Sequence, residues 1–99
     1  MSQQEIILVT GANTGLGYQT VRALYSSDKI YHVLLGGRAL GKASAAAKSV
    51  ADEFTSSKSK LTAIQIDIED DVSIQRAFNV VKENYGHLDV LINNAGEYA

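Results

Sequence analysis

Thr10-Gly11-Ala12-Asn13-Thr14-Gly15-Leu16-Gly17 follows the apolar run Ile6-Ile7-Leu8-Val9 and opens a helix-like segment that starts near Leu16. A glycine-rich turn between a buried strand and a helix brings backbone N–H groups together at the positive end of the helix dipole. An anion such as a phosphate fits there. The glycines have separable tasks. Gly11 lets the chain leave the strand in a tight turn, Gly15 lets a pyrophosphate approach the backbone, and Gly17 lets the helix pack closely on the sheet. The plainer alternative is a loop that uses glycine only for turning. The strand before and the helix after stand where nucleotide binding needs them.

Working outward, four short apolar segments alternate with three helical ones. Ile6 to Val9, Tyr31 to Leu35, Leu61 to Ile66 and Val90 to Ile92 read as strands. The first, second and fourth are nearly continuous runs, as in strands covered on both faces. Leu16 to Ser26 is the first expected helix. Lys42 to Phe54 is the second, with Ala43, Ala47, Val50 and Phe54 on one stripe. Val72 to Tyr85 is the third, with Ile74, Ala77, Phe78, Val81 and Tyr85 buried. Asp70 or Asp71 can cap the third helix, and Gly86 follows it where a left-handed residue ends a helix. Ser56-Ser57-Lys58-Ser59-Lys60 reads as a surface loop. Such alternation gives an α/β fold, a Rossmann-like doubly wound parallel sheet with expected strand order 3-2-1-4.

The bulk properties narrow the classes. At 99 residues the chain makes one small domain at most. Its 45% hydrophobic and 20% charged residues are those of an ordinary globular protein. A net charge of −2 gives no footprint for nucleic acid or a membrane surface. The absence of cysteine excludes a disulfide scaffold and thiolate metal sites. No apolar stretch has membrane-spanning length, and the polar start does not read as a signal peptide, so a cytoplasmic location is the expectation. His32 and His87 have no companion ligands at metal spacing, and no metal site is expected.

About 20 residues beyond the glycine turn, the end of the second strand meets the adenosine ribose in dinucleotide-binding folds. An acid there accepts hydrogen bonds from both ribose hydroxyls and repels a 2′-phosphate. Gly36-Gly37-Arg38 occupies that place. Gly37 leaves room, and Arg38 offers a planar fork for a phosphate. NADP(H) is therefore expected over NAD(H). The alternative is that Arg38 is a solvated loop cation; Lys42 either assists it or is itself solvated.

The glycines fall at the first, fifth and seventh positions counted from Gly11, and the fourth strand ends in Asn93-Asn94-Ala95-Gly96. These two motifs, three βα units apart, resemble those of the short-chain dehydrogenase/reductase family, and in particular its NADPH-dependent carbonyl reductases. The resemblance covers nearly all of this chain and less than half of the family's domain, so a partial domain ending after the fourth strand is expected. It implies that Thr10, Gly11, Asn13, Thr14, Gly15, Leu16 and Gly17 surround the cofactor phosphates. It also implies that Asp67 accepts the adenine amine while Ile68 packs on the ring, and that Asn94, Ala95 and Gly96 lie near the ribose, one asparagine of the pair being structural. Thr14 stands where many members carry a second basic residue, a departure that weakens the case for NADP(H).

The family's chemistry is hydride transfer between nicotinamide and a carbonyl or alcohol. It uses a Tyr, a Lys four residues later and a Ser, all placed after the Asn-Asn-Ala-Gly motif. Tyr25 and Lys29 match that spacing literally, but they close the first helix, whereas the phosphates bind at its start. Ten residues of helix separate the two by roughly 15 Å. Tyr25 is expected to pack and Lys29 to lie on the surface, leaving no catalytic residue here. Two readings remain: the cofactor-binding part of a reductase of small carbonyl or alcohol substrates, or a non-catalytic NADP(H)-binding or sensing module that acts through a partner. Self-association through an exposed fourth strand is expected as well.

Overall fold

The apolar run before the glycine turn is β1 (Glu5–Thr10), followed by α1 (Gly15–Ser26), β2 (Tyr31–Gly37) and α2 (Leu40–Glu53). β3 (Lys60–Gln65), α3 (Asp71–Tyr85) and β4 (Val90–Asn93) complete the computed structural model, which describes residues 4–13 and 15–94. All strands run parallel, in spatial order β3-β2-β1-β4, as the alternation of strands and helices requires. Register is level across the sheet. Leu8 lies beside Leu34 and Leu91, Thr10 beside Asn93, and Gly37 beside Gln65.

Each sheet face is covered by helix. Ile7, Val9, Val33 and Leu35 pack with Val21 and Tyr25 of α1 and with Ala43, Ala46 and Val50 of α2. Ile6, Leu8, Leu34, Ile64 and Ile66 fill the other face with Ala77 and Val81 of α3. Both strand periodicities are therefore apolar in β1 and β2, which is why their sequences do not alternate. Burial of each such Leu, Ile or Val contributes about 1.5–3 kcal/mol. β4 differs: Val90 is 37% and Leu91 47% exposed.

The helix ends follow local chemistry. The Asp70 carboxylate accepts the N–H groups of Val72 and Ser73, and Gly86 closes α3 with a left-handed φ of 81°. A cap of this kind contributes about 1 kcal/mol. α2 starts two residues before the expected Lys42 because Ala39, at its N-cap, makes no side-chain cap bond and leaves no start signal in the sequence. Its stripe includes buried Ala46, while Phe54 falls just past the helix end and packs partly on the core. The Arg22 guanidinium lies 5.4 Å from the centre of the Phe54 ring. It also pairs with Glu53, joining α1 to α2, raising the arginine pKa and lowering that of the carboxyl.

The serine-rich loop before β3 is less solvated than expected. Ser59 is buried, and its Oγ accepts the Tyr31 N–H at 2.9 Å. The Ser57 hydroxyl donates to the Tyr25 carbonyl at 2.6 Å.

Candidate functional site

Parallel strands place their C-terminal ends side by side. Asp67 follows β3, Arg38 follows β2, the glycine turn follows β1 and Asn94 follows β4, so these residues form one rim. Three strand spacings of about 4.8 Å give that rim a span of about 14 Å. From β1 the chain moves to β2 and β3 on one side, then returns to place β4 on the other. Open α/β sheets bind ligands at such a reversal.

The turn itself is tightly built. Gly11 and Gly15 have φ of 59° and 62°, a region that side chains disfavour. A Cβ at Gly17 would stand 2.4 Å from the Gly11 carbonyl oxygen and 3.0 Å from the Ala12 Cα. The close approach that demands glycine at Gly17 is therefore to the turn's own backbone, a correction to the expected contact with the sheet. Around Gly15, no atom of the described residues outside its chain neighbours and its own helix backbone lies within 4 Å of an added Cβ. The Ala12 N–H donates to the Gly36 carbonyl at 2.9 Å and hooks the turn to β2. Asn13 is half-buried, and Leu16 is 64% exposed on the first turn of α1. Thr14, Ala95 and Gly96 lie outside the described residues.

Thr10 is 2% exposed. Its hydroxyl donates to Asn93 Oδ1 at 2.7 Å and accepts the Asn94 N–H at 3.2 Å. Asn93 is thus the asparagine that ties β4 to β1. The Asn94 amide is different: Nδ2 is buried and has no hydrogen-bond partner among the described residues. A buried donor without an acceptor costs about 1–3 kcal/mol.

On the β2 side, Gly36 is the more constrained of the two glycines. A Cβ there would lie 2.8 Å from Ile66 Cγ2, whereas one at Gly37 would make ordinary contacts at 3.4 Å with Ala43 and Asn13. Arg38 and Lys42 are exposed. On the β3 side, Asp67 Oδ1 accepts the Glu69 N–H at 3.0 Å, and the Asp67 N–H donates to Ser73 Oγ at 2.8 Å. Ile68 packs against the core on the α3 face. Gln65 and buried Ser73 also reach this region. They read in sequence only as a polar strand end and a polar first-turn position.

The literal Tyr-x-x-x-Lys match lies elsewhere. Tyr25 belongs to the core, while Lys29 Nζ stands 3.3 Å from Glu5 Oε1. His32 bonds the Thr62 hydroxyl at 3.0 Å and meets the Tyr85 ring edge-on. Burial, helped by the Lys60 charge, holds its pKa below the usual histidine value. His87 lies 3.1 Å from Asp89. Among the described residues, no three His, Asp or Glu side chains gather as a metal site. No helix among them is long and apolar enough to cross a membrane.

A parallel sheet with a glycine turn at its reversal point defines a Rossmann-like nucleotide-binding fold. The profile of the short chain dehydrogenase family matches residues 5–99, and the chain belongs to that family of oxidoreductases. It is 41% identical over 96 residues to the short-chain dehydrogenase/reductase tropE of Talaromyces stipitatus, a match covering 97% of this chain and 36% of that protein. Menthone neomenthol reductase from Mentha piperita superposes with a TM-score of 0.86 at 28% identity, over 97% of this chain and 33% of that one. The N-domain of a bacterial malonyl-CoA reductase, solved with NADP, gives 0.82 at 31% identity, over 94% and 17% of the two chains. The chain spans about a third of the length of the curated relatives it matches.

Proposed function

We propose that the rim holds NADP(H), in preference to NAD(H), as the cofactor-binding part of an oxidoreductase acting on a small carbonyl or alcohol. The observation that carries this reading is the glycine turn. It is braced against its own backbone at Gly17, has positive φ at Gly11 and Gly15, and among the described residues nothing outside its neighbours and own helix crowds Gly15. The buried donor Asn94 Nδ2 at the same rim, without a partner among the described residues, suits an oxygen-rich ligand.

In this reading the amides of the turn and of the first residues of α1 hold the diphosphate, aided by the helix dipole. Arg38, just past Gly37, pairs with the 2′-phosphate. The Asp67 carboxylate accepts the adenine amine while Ile68 meets the ring, and Asn94 donates to a ribose oxygen. Thr10 acts beneath them by locking β4 to β1. The bound cofactor supplies or takes up the hydride. Tyr25 and Lys29, one in the core and the other beside Glu5, serve in none of this.

The test is titration of the chain with NADPH and NADH, followed by calorimetry. Arg38→Ala is expected to weaken NADPH by about 1.5–3 kcal/mol and NADH by much less, because only the former loses a charge-assisted contact. Equal losses would remove Arg38 from its role. No saturable signal with either cofactor would overturn the proposal itself.

A further inference from the structure

Gln65 and Ser73 have no place in the reading above, yet they join its two adenosine-side residues. The Asp67 N–H donates to Ser73 Oγ at 2.8 Å, the Ser73 hydroxyl donates to Gln65 Oε1 at 3.3 Å, and Gln65 Nε2 donates to the Arg38 carbonyl at 3.1 Å. All three bonds point the same way, so each strengthens its neighbours by polarisation. The series passes through a fixed point. Ser73 is 4% exposed in the first turn of α3, and its own N–H is held by the Asp70 cap at 3.5 Å. It ends on an exposed residue.

Arg38 lies one residue beyond the pairing of β2 with β3, which finishes at Gly37 with Gln65 and the Ile66 N–H on the Gly37 carbonyl. After it comes Ala39, which makes no side-chain cap bond to α2. The Gln65 amide therefore extends the strand pairing by one residue, at the place where the guanidinium leaves the backbone.

We propose that Gln65, oriented by Ser73, is a positioning residue that sets the Arg38 backbone and so the preference for the 2′-phosphorylated cofactor. This rests on the Arg38 reading given above. The same bonds connect the Asp67 N–H to the Arg38 carbonyl through Ser73 of α3 and Gln65.

The test is a double-mutant cycle. The full chain, Gln65→Met, Arg38→Ala and the double variant are each titrated with NADPH and with NADH, and each is melted without cofactor. Met keeps the length of Gln and removes both hydrogen bonds. Gln65→Met is expected to weaken NADPH about threefold to tenfold, leave NADH within about twofold, and change nothing further once Arg38 is Ala. Gln65→Asn, too short to reach both partners, is expected to behave alike.

An unchanged preference, equal losses for both cofactors, or an effect that persists in the Arg38→Ala background would each overturn the proposal. So would loss of the melting transition in both Gln65 variants, since that places the residue in the fold instead. If the unmodified chain shows no preference for NADPH, the Arg38 reading falls and takes this inference with it. A preference that survives Gln65→Met sinks the inference alone.

Discussion

At the N-terminal ends of the strands, side chains close off the main chain: Asp89 Oδ2 accepts the Ile6 N–H at 2.7 Å, and Ser59 Oγ accepts the Tyr31 N–H at 2.9 Å. At the C-terminal ends the glycine turn follows β1, β2 finishes in Gly36-Gly37, and Asn94 follows β4, its Nδ2 without a partner among the described residues. Both ends tie up main-chain groups with side chains, as Thr10 and Ser73 do at the C-terminal end, but that end also buries a side-chain donor without a partner among the described residues. Under the binding mode proposed above, the N-terminal end serves stability and the C-terminal end serves binding as well, although both belong to the same four strands.

The largest effect is expected where the two roles meet. Gly17→Ala drives a methyl group into the Gly11 carbonyl. It should lower stability by about 1–3 kcal/mol in urea unfolding and weaken NADPH more than any other rim variant. If it leaves affinity intact, the turn is not the binding element and the contrast fails.

Asp89→Ala should cost about 1–3 kcal/mol by orphaning the Ile6 N–H, while NADPH affinity of the folded fraction stays the same. A parallel loss of affinity would show that the ends are not separable. Asn94→Ala should do the reverse. Without cofactor its melting temperature is expected to hold or rise, since a buried donor without a partner among the described residues is gone, whereas NADPH binding weakens by about 1 kcal/mol. A lower melting temperature with unchanged binding would make Asn94 a frame residue.

The smallest effect concerns His32, near the N-terminal end. Burial and Lys60 lower its folded-state pKa, so folding favours the neutral ring. Stability from this source is present above the ordinary histidine pKa of about 6.5 and is lost as pH falls below it toward the folded-state value. Melting temperature should therefore drop between about pH 7 and about pH 5, and less so in His32→Gln. Identical profiles for the two proteins would remove His32 as the cause.

Most of the fold was readable because its signals are local. The uninterrupted runs Ile6–Val9 and Tyr31–Leu35 declare strands buried on both faces, and Asp70 and Gly86 bracket α3 as caps do. The start of α2 was not readable, since Ala39 carries no capping group. The rim was readable wherever a residue type is forced by backbone geometry, as at Gly11, Gly15 and Gly17. It was not readable where the role depends on contacts across strands. Ser73 and Gln65 become informative only when β2, β3 and α3 are brought together, and the hold of Ser59 on Tyr31 joins residues far apart in sequence. Tyr25 and Lys29 show the converse, a correct spacing at the wrong end of a helix.

The bond from the Ala12 N–H to the Gly36 carbonyl closes the glycine turn onto β2 before any partner arrives. In the proposed binding mode a phosphate meets a turn anchored at Ala12, which lowers the ordering entropy that opposes capture. The same hook commits the Ala12 N–H to the Gly36 carbonyl, so in that binding mode recognition at this corner falls to the main-chain groups that come after Ala12.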